Sequence, residues 1–384
     1  MKNRNDWLIF KILPRANSRF DTIFISAVVI LAAFGTVMVY SAGYAYAALR
    51  YDDGLYFVKR QILWLVIGIL AMITVSRIDV GLLKKHTGKA YLMTLVLLAL
   101  TLVIGFVGNG AQRWISIGPL TIQPSEIGKL TMTMMMAKYF SDNKDAVLTR
   151  NKRQILIKGT IIPCVIMAIP IALVMLQHHL SCIIILGIIG LIMIVVSGAD
   201  LRYIGAFSAL GLAGVSYIAF FTDYTKDRIT VWLDPESYKL TGGWQTLQGL
   251  MAIGSGGLFG KGFGKGELKY CYVSEPANDM IFAILCEELG FIGAAVTLLL
   301  FGLLVWRGFV IALNNEDTYA RLLTIGICVK IAVQVILNVA VVTNTIPNTG
   351  ISLPFFSYGG SSLIMIFAEM GIILSVSRSS KISK

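Results

Sequence analysis

Four stretches of this sequence carry residue types at spacings that could do chemistry. The first is Ser274-Glu-Pro-Ala-Asn-Asp279, which runs straight into an apolar segment. An aspartate just ahead of an apolar helix is either an N-cap or, when a rigid loop holds it at a membrane surface, a general base. The glycine-rich run before it, Gly254 to Gly266, lacks the lysine spacing of a P-loop. The second stretch runs from Gly110 through Arg113, Trp114 and Pro124-Ser-Glu126 to Lys129. Arg113 beside Trp114 reads either as an interfacial anchor, or as a guanidinium for a diphosphate with an indole to stack on a sugar or polyprenyl unit. The third, Ile346 to Ser362, holds Pro347, Pro354, Gly350, Gly359 and Gly360. Backbone broken in this way is tolerated at membrane depth only against protein or a wet cavity, so it marks a cleft lining or a structural re-entrant turn. The fourth is a set of ionisable residues inside apolar stretches: Glu287, Glu288, Lys330 and Glu369. Lys330 shares a helical face with Gln334 and Asn338. Such residues serve function or form an internal pair, such as Lys330 with Glu369, that locks helices together.

The elements that must position these residues are membrane spans. The chain has 384 residues, of which 56% are hydrophobic and 14% charged, and its mean hydropathy is +0.76. A soluble domain carries about a quarter charged residues. Length and loop charge predict an all-α polytopic membrane protein of about ten spans. They fall near 20–40, 57–76, 90–108, 122–140, 159–177, 180–198, 202–222, 280–306, 320–343 and 355–377. Lys129 and Lys138 interrupt the fourth. The economical reading is one domain over 1–384, with both termini cytoplasmic. The connection 221–279 is too long for a linker, and Trp232, Trp244, Phe259, Phe263, Tyr270 and Tyr272 give it material to pack. Short helices and turns on the outer membrane surface are expected there.

The net charge of +12 follows the positive-inside rule. Its basic clusters sit in the N-terminal tail, at Arg77–Lys89 and at Lys144–Lys158, without interleaved stacking aromatics, which argues against nucleic acid as a partner. Of the five cysteines, Cys164, Cys182, Cys286 and Cys328 lie in or beside apolar spans and Cys271 in the long loop. No pair suggests a disulfide or metal site. His178-His179 and the distant His86 do not make a histidine metal site. The first apolar run is long and follows a basic tail, so it reads as an anchored span rather than a cleavable leader.

Several motifs resemble a known family. They are Arg113-Trp-Ile, Gln123-Pro-Ser-Glu, Trp232-Leu-Asp-Pro, Gly243-Trp-Gln-Thr-Leu-Gln248, Ala252-Ile-Gly-Ser-Gly-Gly-Leu-Phe-Gly-Lys-Gly, Asn278-Asp-Met-Ile-Phe-Ala, Glu287-Glu-Leu-Gly and Phe356-Ser-Tyr-Gly-Gly-Ser-Ser. Together they resemble the SEDS proteins FtsW, RodA and SpoVE over nearly the whole chain, and the Asn344–Pro354 stretch is closer to the FtsW/SpoVE branch. The resemblance implies a ten-span peptidoglycan glycosyltransferase of the bacterial cytoplasmic membrane, acting in division or cell-shape maintenance. Its lipid II substrate is polymerised with inversion, and undecaprenyl diphosphate leaves. The resemblance maps a catalytic aspartate onto Asp279. It maps substrate-binding positions onto Arg113, Trp114, Glu126, Lys129, Gln245, Gln248, Ser357, Gly359, Gly360 and Ser361. It implies a class B penicillin-binding protein transpeptidase as partner, with other divisome or elongasome membrane proteins.

In the expected mechanism Asp279 takes the proton of the acceptor 4-hydroxyl. Arg113 and Lys129 face the diphosphate or shape the cleft, and Glu126 orients Lys129. Paired glycosidase carboxylates are not needed, because diphosphate leaves without an acid. A divalent cation such as Mg2+ or Mn2+ would share the diphosphate charge, although no ligand set demands one. Two departures stand out. Ala277-Asn278 replaces a family His-Thr or His-Ser, and His178-His179 replaces a family Pro-Asp. A lipid II flippase and a non-catalytic divisome scaffold remain rival readings.

Overall fold

The computed structural model describes residues 20–379, apart from 109–110, 118–119, 148–150, 201, 204, 206–208, 210–222 and 271. Helices α1 (Thr22–Tyr51), α2 (Tyr56–Ser76) and α3 (Val80–Ile104) lead into strands β1 (Phe106–Gly108), β2 (Ala111–Ile117) and β3 (Leu120–Ile122). The strands pair antiparallel in chain order. Next come α4 (Pro124–Asp142), α5 (Ile162–Leu176), which is entered through a π-helical turn at Ile155–Ile161, and α6 (Leu180–Val196). The long connection holds α7 (Asp223–Leu233) and α8 (Gly243–Gly256), and α9 (Ile281–Leu313), α10 (Thr318–Val342) and α11 (Gly360–Ser379) follow. The protein is a polytopic helical membrane protein. Among the described residues, seven helices are long and apolar enough to cross a membrane: α1, α2, α3, Ile155–Leu176, α9, α10 and α11. The expected span at 202–222 lies almost wholly outside the described residues, as do the N-terminal basic tail and Cys271.

The expected fourth and sixth spans coincide with α4 and α6, which are not among those seven, and the polarity of α4 has a packing reason. This helix is wrapped by α3, α5, α6 and α10, and Glu126, Lys129, Thr131 and Thr133 are all buried. Its neighbours, not lipid, meet its polar side chains. By contrast, α2 presents Leu63, Val66 and Leu70 outward, as a lipid-facing helix does. Pro124 opens α4 with Glu126 in its first turn, which suits both the free N–H groups and the positive end of the helix. The connection between the expected third and fourth spans carries most of the small sheet. Its strand pattern is too short to stand out by alternation alone.

The N-terminal part of α9 is broken at Gly290 (φ 66°, ψ −168°), a conformation that favours glycine. The glycine-rich loop takes over the backbone groups freed by the break. Lys261 and Gly262 N–H donate to the Glu287 and Glu288 carbonyls at 3.0 and 2.9 Å, and Phe291 and Ile292 N–H donate to Gly257 and Leu258 at 2.9 and 3.1 Å. The two buried carboxylates complete the lock. Glu287 pairs with Lys261 at 3.0 Å and accepts from the Glu267 N–H at 2.9 Å. Glu288 pairs with Lys269 at 2.7 Å and accepts from the Ser41 hydroxyl of α1 at 2.6 Å. At its other end α1 is tied to α9 by Asp21, which caps its own helix and meets Arg307 at 2.7 Å. Deeper in the bundle, Lys330 of α10 and Glu369 of α11 form a fully buried pair at 2.6 Å.

Candidate functional site

A cavity of about 1200 Å³ lies among the helix ends that loop charge places outside. Arg60 and Trp64 enter it from the outer end of α2, Arg113 and Trp114 from β2, and Glu126 and Lys129 from the first turns of α4. His179 and Cys182 come from the start of α6, Arg228 from α7 and Gln245 from α8. Glu275, Asn278, Asp279 and the segment Asn348–Ser352 complete the central wall.

The backbone carrying Asp279 is held at three successive carbonyls. Ala277 accepts from the Tyr358 N–H at 2.8 Å, Asn278 from the Ser357 hydroxyl at 2.8 Å, and Asp279 from the Asn338 amide at 3.0 Å. The same Asn338 amide reaches the Ile351 carbonyl at 2.6 Å. Segments from α10 and the approach to α11 therefore set where the carboxylate sits. Burial pushes the Asp279 carboxyl up to about 6, the Glu275 charge adds to this, and Arg228 opposes it. Glu275 itself has a positive φ of 52° and accepts from the Asn278 amide at 2.5 Å. Non-glycine residues in that region gather at functional sites.

Gly350 faces this carboxylate. Its φ is +66°, and a Cβ there would stand 3.2 Å from Asp279 Oδ2. Gly350→Ala is expected to add about 1–3 kcal/mol of strain and to crowd the carboxylate, lowering turnover by roughly tenfold or more. Turnover measured alongside the thermal midpoint checks this, and full activity in a folded Gly350→Ala protein would contradict it.

The cationic side chains differ in what they face. Lys129 is paired with Glu126 at 2.7 Å, both buried, so its charge is already neutralised. Arg113 donates to the His178 carbonyl at 2.5 Å, which ties the sheet to the connection before α6. Burial above all, with Arg113 and Lys129 nearby, drops His179 to about 3 and keeps it neutral near pH 7. Among the described residues no three His, Cys, Asp or Glu side chains are placed to hold a metal ion. Positive charge along the wall comes from Arg60, Arg113 and Arg228.

The cavity brings together Asp279, Arg113, Trp114, Glu126, Lys129, Gln245, Gly359 and Gly360. Gln248, Ser357 and Ser361 are not among its lining residues. Gln248 is buried on α8, the Ser357 hydroxyl holds the Asn278 carbonyl next to Asp279, and the Ser361 hydroxyl is buried without a partner among the described residues. Arg60, Arg228, Glu275 and Thr349 line the cavity without having been singled out from the sequence. Arg60 offered one signal, a cation one turn before Trp64 at an outer helix end. Arg228 is masked by the near-neutral composition of its loop.

Residues 21–382 match the FtsW/RodA/SpoVE family model, described as a cell cycle protein. The chain is 38% identical to stage V sporulation protein E of Bacillus subtilis strain 168 over 363 residues, which cover 94% of this chain and 98% of that protein. It is 32% identical to the peptidoglycan glycosyltransferase MrdB of Escherichia coli K12 over 366 residues, covering 94% and 96%. Its fold is similar to a chain of a solved peptidoglycan synthase complex described as coordinating polymerization and crosslinking, with a TM-score of 0.78, 27% identity and coverage of 94% and 98%. It is also similar to the crystal structure of the rod shape determining protein RodA of Thermus thermophilus, with a TM-score of 0.70, 27% identity and the same coverage. Matched over residues 21–382 by the model and over 94% of its length by these relatives, the chain belongs to the FtsW/RodA/SpoVE family.

Proposed function

We propose that this protein is a peptidoglycan glycosyltransferase that polymerises lipid II on the outer face of the bacterial cytoplasmic membrane, with Asp279 as general base. The observation that carries this reading is a clamped, half-buried carboxylate facing an outer cavity whose wall also presents arginines. The acceptor sugar's 4-hydroxyl loses its proton to Asp279 as its oxygen attacks the anomeric carbon of the donor. The bond from that carbon to phosphate breaks, and the electron pair leaves with undecaprenyl diphosphate. Arg60, Arg113 and Arg228 supply positive potential for the departing anion, and a guanidinium suits phosphate oxygens. Trp114 and Trp64 offer apolar faces for a sugar or prenyl unit. The lining belongs to the outer parts of its helices, with the Lys330–Glu369 pair beneath, which favours chemistry on one face over passage across the membrane. A class B penicillin-binding protein transpeptidase, acting with other divisome or elongasome membrane proteins, is the proposed partner. Glycan chains formed from lipid II by the purified protein, with and without the cognate transpeptidase, test the function, and no polymer under either condition defeats it.

The base assignment also fixes a pH dependence. Asp279 works only when deprotonated, so activity falls as pH drops through about 6. A rate profile with its acid limb near pH 6 is expected, and one flat down to pH 4 would exclude Asp279 as the base.

A further inference from the structure

Where α4, α6 and α10 meet the 344–354 segment, the cavity wall is rich in unused acceptors. Glu126 Oε1 takes the Lys129 ammonium, while Oε2 has no hydrogen-bond partner among the described residues. Gln334 reaches Ser352 only at 3.4 Å through its amide nitrogen, and its Oε1 has no such partner either. The Thr349 hydroxyl is also unpartnered among the described residues, while its carbonyl is held by the Ser181 hydroxyl. All three side chains line the cavity, and they are only 5%, 2% and 8% exposed. Buried polar atoms of native proteins are normally satisfied, so these call for a partner brought in from outside.

We propose that this corner is a subsite for an uncharged, hydrogen-bond-donating part of the substrate, a sugar hydroxyl or acetamido N–H, and that phosphate is not bound there. The inference rests on the lipid-linked saccharide reading above and adds which part of that substrate goes where. A carboxylate oxygen and an amide oxygen accept and do not donate, and the threonine hydroxyl can accept as well. Phosphate oxygens only accept and carry negative charge, so Glu126 repels them. Lys129, the cation lining this corner, already serves Glu126, and Lys330 behind it is taken up by Glu369. A hydroxyl or amide N–H matches all three groups. The leaving polyprenyl diphosphate has no sugar donors. Once the bond from the anomeric carbon to phosphate breaks, this corner has no hold on the departing lipid.

The test compares two probes on the full-length protein in nanodiscs, lipid II and bare undecaprenyl diphosphate. Gln334→Met and Thr349→Val remove acceptors with little change of shape. Each is expected to weaken lipid II binding by about fivefold to thirtyfold, and to leave undecaprenyl diphosphate binding and the ligand-free thermal midpoint unchanged. Equal weakening of both probes would overturn the proposal in favour of a packing or anion-binding role. No change for either probe would overturn it in favour of a corner occupied only by water. Two variants guard against one that fails to fold. If the native protein prefers lipid II over undecaprenyl diphosphate through these residues yet makes no polymer, the polymerase reading fails and the subsite stands.

Discussion

Asp279→Asn is expected to cut lipid II polymerisation by about 10²- to 10⁴-fold with the fold intact. The substitution keeps the size and shape of the side chain. The three tethers on this segment run to the carbonyls of Ala277, Asn278 and Asp279, not to the carboxylate, so the introduced amide would sit where the carboxylate sat. The stability effect also has a definite sign. The folded protein raises the carboxyl from 3.8 to about 6, so the folded state binds its proton more tightly than the unfolded chain does. Ionised Asp279 therefore opposes folding above about pH 6, and this penalty fades as pH falls toward 4. Asparagine removes it, so the thermal midpoint at neutral pH should hold or rise while turnover collapses. Turnover and midpoint measured on the same preparation decide the matter. An undiminished rate would end Asp279's assignment as base, and a collapsed midpoint would make it a structural residue.

The second large effect concerns Lys330. Its ammonium lies 2.6 and 2.8 Å from the two oxygens of Glu369, with both side chains fully buried. Removing one partner strands the other charge in a low-dielectric interior. Lys330→Met is expected to destabilise the protein by about 3–5 kcal/mol. Replacing both residues with methionine leaves no stranded charge and should recover most of that loss, because a buried pair exchanged for apolar groups of similar size is often neutral. Thermal or denaturant unfolding in detergent reads the comparison. If the double variant were as unstable as the single one, the pair would be contributing more than mutual neutralisation.

What was legible in advance followed from rules that act along the chain. Apolar length marked the seven helices that are long and apolar enough to cross a membrane. The cost of charge in lipid singled out Lys330 and Glu369, and the structure joins them. Glu287 and Glu288 were visible as buried charges, but their partners were not. Lys261, Lys269 and Ser41 reach them across a folded loop and a separate helix, and no periodicity encodes that. The clamp on Asp279 was hidden for a different reason. It is built on backbone carbonyls, which every sequence has, so Ser357 and Asn338 carried no sign of that task. Arg228 went unnoticed because composition averages over a loop, whereas a cavity wall depends on individual positions. The short strand bearing Arg113 was missed because seven residues of irregular alternation cannot be told from an ordinary connection.

The ties at the two ends of α1 have a consequence for the surrounding lipid. Asp21 meets Arg307 near one rim, and Ser41 meets Glu288 and Lys269 near the other. Twenty residues separate these anchors (41 − 21), which is about 30 Å of helix, close to the hydrocarbon thickness of a typical bilayer. The protein thus carries its own gauge of membrane height. In a thinner leaflet pair this helix cannot slide or shorten without parting a charged contact at one rim, so the acyl chains, rather than the protein, must stretch to close the mismatch.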